Sequence, residues 1–506
     1  MNFLFRVDSS ARIGSGHLMR CLTLARLLRQ QGAKVGFLCR DLLGNLARKV
    51  EGEGFHLHLL PRRDRMTSES RLAHASWLET SWEQDAKDCS EFIGIGEDAP
   101  DWLIVDHYAL DERWERAMRP HVGSLMVIDD LADRRHDCDI LLDQNLVLGM
   151  QDRYRDLVPP HCHLLLGPKY ALLGDEYRQL RPTVRARDGE IGEVFVSFGG
   201  VGAELTVMAL QALRAIDHSD LSVIAVSPAD LPDDVLVGWD RLIHHSQLPS
   251  LAPLMATADL AVGAAGTTSW ERLCLGLPAA VVTMAENQKP IAEGLQDAGL
   301  IHLVGDSEEL KQEGLRTALR RIIEAGSDRE MSERCLAAVD GLGTERCLEL
   351  LLPPRDLSIE MRDAGDEDEG LLLSWANDPE TRAGSFQKGL IDLATHRPWL
   401  ACRLNSDWCR IFVAQTALGT PLGQVRFESE DEGRWRLHYS LSRLFRGRGL
   451  GRNLLEIAID RLIDELGEVE LVASALEDNI ASQKTLEALG FKAVGEGDGA
   501  ICYQRA

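Results

Sequence analysis

The sequence predicts an α/β chain: two parallel-sheet halves followed by a smaller α+β domain. Three observations carry this. Short apolar runs alternate with amphipathic stretches along residues 1–350, the pattern of strands joined by crossover helices. The unit of strand, glycine turn and helix occurs twice, at Phe3–Val7 with Gly14-Ser15-Gly16 and at Glu193–Ser197 with Phe198-Gly199-Gly200. At Leu351-Leu352-Pro353-Pro354-Arg355-Asp356 two prolines end a helix and an acidic segment follows, which reads as a linker.

In the first half, strands are expected at Phe3–Val7, Val35–Cys39, Trp102–Val105, Leu125–Ile128 and Ile140–Leu142. Between the first two, His17–Gln31 spaces Leu18, Cys21, Leu22, Ala25 and Leu28 as one helical face. An arginine-rich passage from Tyr177 to Asp188 separates the halves. The second half places strands at Glu193–Ser197, Leu221–Val226, Leu242–His245, Asp259–Val262, Ala279–Val282 and Ile301–Val304. Both halves are therefore read as Rossmann-like, with a cleft between them. In the tail, strands are expected at Leu357–Met361, Arg410–Thr416, Pro421–Glu428, Arg434–Leu441, Val469–Ala475 and Ile501–Gln504. The domains are thus set at residues 1–170, 171–350 and 357–506, with the linker at 351–356.

With 506 residues the chain is too long for one core. Its 55 Lys and Arg against 80 Asp and Glu give a formal charge of −25, which argues against nucleic acid or an anionic membrane as the main partner. The 11 cysteines show no C-x-x-C pair and no zinc spacing, so they read as buried free thiols. Arg6 and Asp8 interrupt any signal-peptide core, and no run approaches the ~20 apolar residues of a membrane span. A cytoplasmic protein is expected.

The chemistry concentrates at Gly14-Ser15-Gly16-His17-Leu18-Met19-Arg20. Glycines let a ligand approach the backbone, and a helix start offers free N–H groups and a positive dipole end. Histidine there can take a proton near neutral pH. The turn reads as a catalytic loop for a negatively charged substrate.

Phe5-Arg6-Val7-Asp8 with Ile13-Gly14-Ser15-Gly16-His17-Leu18-Met19-Arg20-Cys21 resembles the N-terminal signature of the nucleotide-sugar hydrolases of pseudaminic acid synthesis, in the GT-B group that includes MurG-type glycosyltransferases. Gly263-Ala264-Ala265-Gly266-Thr267-Thr268-Ser269-Trp270-Glu271, Gly276-Leu277-Pro278 and Ala285-Glu286-Asn287-Gln288 are similar to its UDP-binding segment. The resemblance implies a GT-B arrangement and release of UDP from a UDP-linked 2,4-diacetamido-2,4,6-trideoxy-altrose by attack of water at the anomeric carbon. In that reading His17 activates the water, and Asp8 orients the histidine or contacts the sugar. Tyr108, in Asp106-His107-Tyr108, lines the sugar pocket. Gly14, Gly16, Gly199, Gly200, Gly266, Thr267 and Thr268 hold the substrate with backbone N–H groups and hydroxyls. Glu271 accepts from the ribose hydroxyls, and Asn287 and Gln288 hold the diphosphate or sugar. After Gly200 the family commonly continues with an aspartate, where this chain has Val201-Gly202-Ala203. Asp129-Asp130 is read as a strand-end turn, and no metal is expected.

In the tail, Arg446-Gly447-Arg448-Gly449-Leu450-Gly451 precedes an apolar helix with Leu454, Leu455, Ala458 and Leu462. It resembles the pyrophosphate loop of the GNAT acetyltransferases, which implies acetyl-CoA as co-substrate held at Arg446, Gly447, Arg448, Gly449 and Gly451. The upstream strand His438–Leu441 matches the place where GNAT proteins pair the pantetheine arm, which brings in Leu441. Asn479-Ile480-Ala481-Ser482 and Gly490-Phe491 are similar to the closing motif, which brings in Asn479 and Ser482. Many relatives carry a thiolate-protonating tyrosine on the helix after Asn479; this chain has Thr485-Leu486, leaving that step to another group or to water, or leaving the tail inactive. Trp375-Ala376-Asn377-Asp378-Pro379, Arg382, Ser385-Phe386 and His396–Trp399 resemble the front of the subgroup that acetylates nucleotide-linked amino sugars.

Together the resemblances imply a bifunctional enzyme of nonulosonic acid synthesis acting on a UDP-linked amino sugar: N-acetylation by the tail, then UDP release by the paired halves. The alternative is a GT-B glycosyltransferase that passes the sugar to an acceptor and carries a GNAT-like CoA-binding or scaffold module.

Overall fold

Both paired halves are wound outward from their first strand. The computed structural model describes residues 1–63, 72–94, 99–200, 202–216, 218, 220–228, 231–246, 248–352, 357–431, 433–497 and 499–505. Strands β1 (Asn2–Val7), β2 (Lys34–Arg40), β3 (His56–Leu60), β4 (Trp102–Asp106), β5 (Ser124–Ile128), β6 (Ile140–Asp143) and β7 (His163–Leu166) form one sheet in the order β3-β2-β1-β4-β5-β6-β7. Neighbours from β3 through β6 pair in parallel, which requires crossover connections. Helix α1 (Gly16–Gln30) joins β1 to β2, and α2 (Trp82–Ile93) precedes β4.

The second sheet repeats the plan. Its strands β8 (Glu193–Ser197), β9 (Ser222–Val226), β10 (Leu242–His245), β11 (Leu260–Ala264), β12 (Ala279–Thr283) and β13 (His302–Asp306) run β10-β9-β8-β11-β12-β13, all parallel. Helix α3 (Ala203–Arg214) follows β8, and α4 (Thr268–Cys274) follows β11. Strand β8 is buried on both faces, as a doubly covered parallel sheet requires. Phe195 enters the core that holds Trp270 and Met255, while Val194 and Val196 enter the core of Leu210 and Leu319. In each sheet the winding reverses direction beside the first strand, between β1 and β4 and between β8 and β11. Ligands of open α/β sheets bind at the carboxyl ends of such strands.

The third sheet is of another kind. Strands β14 (Ile359–Asp363), β15 (Cys409–Thr416), β16 (Pro421–Asp431), β17 (Arg434–Leu441), β18 (Glu470–Leu476), β19 (Lys492–Gly497) and β20 (Ala500–Arg505) run β14-β15-β16-β17-β18-β20-β19. All pairs are antiparallel except β17 with β18, which pair in parallel over Arg434–Arg436 only. Helices α5 (Glu369–Ala376), α6 (Pro379–Ala383) and α7 (Leu393–Leu404) lie between β14 and β15 in sequence. Helix α8 (Leu450–Leu466) follows β17, and α9 (Ile480–Ala488) follows β18.

The chain divides into two compact units, Met1–Val158 with Leu165–Thr344 and Pro159–Leu164 with Glu345–Ala506. Of the linker at 351–356, residues 353–356 lie outside the described residues, as does Val201. Three strands escape the sequence reading: β3, β7 and β19. Each is the edge of its sheet, where one face or one side needs no apolar partner. All 11 cysteines are free; Cys402 and Cys502 are exposed, against the expectation of burial throughout, and the other nine are buried. Among the described residues no helix is long and apolar enough to cross a membrane.

Candidate active site and acetyl-donor loop

The glycine turn after β1 feeds directly into α1. Gly14 has φ +84° and its N–H donates to Ser10 O at 2.9 Å, a left-handed turn that favours glycine. It delivers His17 to the first turn of α1. The residue is 9 % exposed, and Nδ1 lies 2.6 Å from Asp106 Oδ1. Asp106 ends β4, directly opposite Val7, so the pair spans the reversal point of the sheet. Burial raises the Asp106 carboxyl, but Arg20 and His17 outweigh it and hold it well below the usual carboxylate range. An ionised carboxylate can only accept, so Nδ1 carries a hydrogen in this contact, with Arg20 Nη2 3.3 Å from the same nitrogen. No described residue hydrogen-bonds Nε2.

Behind this pair lies a continuous polar network. Arg20, one turn along α1, donates from Nε to Asp106 Oδ2 at 2.6 Å and from Nη1 to Asp130 Oδ1 at 3.0 Å. Tyr108 OH donates to Asp130 Oδ2, and Asn145 Nδ2 donates to Asp130 Oδ1 at 2.7 Å. The Tyr108 ring stands edge-on to His17 at 4.5 Å between centroids, and Trp77 stacks on Tyr108 at 5.4 Å. Asp129 accepts from Ala132 N–H at 2.8 Å and Tyr154 OH at 2.9 Å, which makes Asp129-Asp130 a turn and a network member.

Asp8 requires a correction. It does not orient His17. Arg6 donates to both its oxygens at 2.6 and 2.9 Å, Arg40 N–H donates at 2.7 Å, and His107 Nε2 stands 3.2 Å away. Arg6 also binds Asp85 at 2.8 Å, and Arg40 binds Asp88 at 3.0 Å. Trp114 Nε1 donates to Asp85 at 3.0 Å. Burial raises the Asp8 carboxyl, while Arg6 and then His107 bring it far below its ordinary value. Asp8 thus belongs to a buried ionic network beneath β1, and Asp106 holds the histidine.

Opposite α1, the turn after β11 starts α4. The two helix starts approach closely: a Cβ at Gly16 would stand 3.8 Å from Thr267 Cγ2. Between them is a cavity of about 390 Å³ lined by Gly16, Arg20 and Thr23 on one side and Thr267, Trp270 and Glu271 on the other. Glu271 Oε2 is buried without a partner, and burial pushes the carboxyl up to about 7 against the lowering effect of Tyr177 and Arg272. A buried acceptor left empty is costly and fits a ligand hydroxyl. Gly263, under the turn, is required by packing: a Cβ there would overlap Ser197 O and stand 2.8 Å from Arg272 Nη1. Gly266 has open space around it, and Thr268 is the first residue of α4. Gly199, at φ +73°, and Gly200 are exposed at the end of β8 with nothing within 4 Å of a built Cβ. His17, Asn287 and Gln288 do not themselves line the cavity; Gln288 Oε1 accepts from Met284 N–H at 2.9 Å.

In the second unit, Gly447 and Gly449 have φ +72° and +76° with nothing within 4 Å of a built Cβ. Gly449 caps the 17-residue α8, so open backbone meets a long helix's positive end. The donor set fits a pyrophosphate. A Cβ at Gly451 would stand 3.7 Å from Thr485, and burial lowers Arg448 from its ordinary value. The Arg446 side chain is engaged within the protein. Its guanidinium is taken by Asp378 at 2.6 Å, Thr381 Oγ1 at 2.7 Å and Leu441 O at 3.0 Å, so it braces the end of β17 against α6. Asn479 accepts from Ser482 N–H at 3.1 Å and caps α9. Tyr439 of β17 donates to Ser482 Oγ at 3.1 Å, placing a phenol beside the helix that lacks the relatives' tyrosine. Burial raises its pKa, against Ser482 and Thr485, so it stays protonated.

Sequence reasoning missed Asp106, Arg20, Asp130, Asn145 and Tyr439 as working residues. Asp106 carried a signal: a charge closing the apolar run Trp102–Val105. Arg20 carried another, a charge three residues after His17 on a helix of apolar spacing. Asn145 and Tyr439 had none, because their partners lie 15 and 43 residues away.

Residues 358–492 match the acetyltransferase (GNAT) domain model. The UDP-2,4-diacetamido-2,4,6-trideoxy-beta-L-altropyranose hydrolase of Campylobacter jejuni is 27 % identical over 304 residues, covering 59 % of this chain and 97 % of that protein. An uncharacterized protein of Methanocaldococcus jannaschii is 22 % identical over 514 residues, covering 98 % of each. Among solved structures, MurG of Acinetobacter baumannii aligns with 69 % of this chain and 98 % of its own at 14 % identity and a TM-score of 0.48. The chain therefore joins a segment similar to a UDP-sugar hydrolase to a segment that matches the acetyltransferase (GNAT) domain.

Proposed function

We propose that the chain is a bifunctional sugar-nucleotide enzyme of nonulosonic acid synthesis. Its first unit releases UDP from a UDP-linked 2,4-diacetamido-2,4,6-trideoxy sugar, with half-domains at 1–170 and 171–350. Its second unit N-acetylates the 4-amino precursor of that sugar nucleotide. One observation carries the hydrolytic reading: an imidazole fixed by Asp106, with Nε2 unpartnered, at a helix start that faces Thr267 and Glu271.

In this mechanism His17 Nε2 takes a proton from water as its oxygen bonds to the anomeric carbon. The bond from that carbon to the diphosphate oxygen breaks, and its electron pair leaves with UDP. The starts of α1 and α4 bring N–H groups and positive dipole ends to the departing charge. Glu271 takes the ribose hydroxyls at its empty oxygen. Asp106 steadies the imidazolium while it holds the proton.

In the second unit, acetyl-CoA when bound supplies an activated acetyl group as a thioester. Gly447 and Gly449 leave backbone N–H groups open to its pyrophosphate. The acceptor amine must be oriented above all, and the Tyr439 hydroxyl holds a proton beside α9.

The test is NMR of the protein with the UDP-linked 4-amino sugar, with and without acetyl-CoA. New acetamide signals followed by free sugar and UDP are expected. With His17→Ala the acetamide should still form and the free sugar should not; unaltered UDP release from that variant would refute the role of His17.

A further inference from the structure

The cavity between α1 and α4 has a second open group besides Glu271. Gln144 directly follows β6 and lines that cavity with Arg20, Tyr177 and Glu271. The residue is 2 % exposed. Its Oε1 accepts from the Leu172 N–H at 3.1 Å. A backbone N–H can only donate, so that bond fixes which way the amide is turned. Nε2, which carries two hydrogens, is the end left over, and it makes no hydrogen bond to a described residue.

Its neighbours differ. Asp143 accepts from Arg153 Nη1 at 2.5 Å, and Asn145 Nδ2 donates to Asp130 at 2.7 Å and to Asp143 at 2.8 Å. Other donors around the cavity are engaged as well. Arg20 is held by Asp106 and Asp130, Arg26 donates to Glu53 at 2.6 and 2.7 Å, and Thr23 Oγ1 donates to Met19 O at 3.1 Å. A buried donor without an acceptor is costly. One cavity of about 390 Å³ thus holds an open donor, Gln144 Nε2, and an open acceptor, Glu271 Oε2. Its volume suits a small-molecule ligand.

We propose that Gln144 is a specificity-determining residue of the first unit, donating from Nε2 to a carbonyl oxygen of the bound molecule. The proposal rests on the reading of that unit as acting on a UDP-linked diacetamido sugar. On such a molecule the helix starts of α1 and α4 meet the diphosphate charge, and Glu271 meets the ribose hydroxyls. A neutral amide donor is left for the uncharged carbonyl acceptors, which the uracil ring and the acetamido groups both carry. A site that commits a buried donor to a carbonyl rejects an analogue lacking it, because the donor is then stranded.

Two variants of the full chain test this. Gln144→Met, uncharged and of similar length, loses both ends of the amide. Gln144→Glu keeps an oxygen for the Leu172 N–H and loses only the open donor. UDP and uridine are titrated into each, uridine so that the added charge of the second variant is not read as a lost bond. Affinity for both ligands lowered about tenfold or more in both variants assigns the ring carbonyl. Affinities within about twofold, with KM for the diacetamido sugar nucleotide raised about tenfold or more, assign an acetamido carbonyl. If neither quantity moves, or if Gln144→Glu behaves as the unaltered chain, the role of Gln144 is overturned. No UDP binding by the unaltered chain would overturn the reading of the first unit with it. Crystal structures of the unaltered chain with UDP and of His17→Ala with the sugar nucleotide give a measure that needs no change at Gln144. Nε2 within about 3.2 Å of a carbonyl oxygen upholds the proposal, and a water, hydroxyl or phosphate oxygen in that place overturns it.

Discussion

Asp106→Asn exposes the logic of the first unit most sharply. The carboxylate receives His17 Nδ1 at 2.6 Å and Arg20 at 2.6 and 2.7 Å. An asparagine keeps one acceptor oxygen, and the Arg20 fork claims it. Its amide group then faces His17 and donates to Nδ1. The imidazole is driven to the tautomer with hydrogen on Nε2, which cannot take a proton from water. Loss of a positioned base is worth about 10²–10⁴-fold in rate, or roughly 3–5 kcal/mol of transition-state stabilisation. UDP affinity should stay within about threefold, because Thr267 and Glu271 are untouched. Arg20 loses a buried charge partner, so unfolding should also become easier by about 3 kcal/mol. The assay is kcat for UDP release beside UDP binding by titration. A kcat within threefold of the unaltered chain would sink the assignment of Asp106 as the group that sets the tautomer.

Three further outcomes are expected. Glu271 titrates near 7 in the folded chain against 4.5 for the free side chain, so the folded state holds its proton more tightly; stability is full below pH 4.5 and falls by roughly 3 kcal/mol as pH rises to 7. Glu271→Gln should flatten that fall in thermal melts, and it should abolish the gain in UDP affinity expected between pH 6 and 8 as the acceptor ionises. Gly263→Ala forces a methyl onto Ser197 O and Arg272 and should cost about 3 kcal/mol, read as a lowered melting temperature with the second unit's acetyl-CoA binding retained. Tyr439→Phe removes the hydroxyl that meets Ser482; acetyl transfer should slow about tenfold or more at saturating acetyl-CoA, and an unchanged kcat would show that Tyr439 does not protonate the thiolate.

Much of the fold was legible because parallel sheets leave strong local marks. The runs Phe3–Val7, broken only by the buried Arg6, and Trp102–Val105 are apolar since both faces of β1 and β4 are covered. Strand β3 reads His-Leu-His-Leu-Leu at a sheet edge, a polar–apolar alternation only four residues long. The glycine turns were legible for the same local reason: a left-handed turn and a helix start must follow each other in sequence. Partnerships across the sheet were not. Asp8 and Asp106 both close apolar strands, and only the strand order, with β4 beside β1, decides which one meets His17. Arg446 sits in a phosphate-loop pattern, yet Asp378 and Thr381, more than 60 residues earlier, claim its guanidinium.

The charged lattice under β1 has an evolutionary corollary. Asp85 meets Arg6, Arg40 and Trp114, and Asp8 meets Arg6, the Arg40 backbone and His107. Neutralising any one member strands its neighbours in a dry interior. Lone replacements at these sites are therefore selected out, and drift there has to proceed by compensated sets. The footing of the Gly14–Gly16 turn should vary far less among descendants of this chain than the turn's own exposed residues.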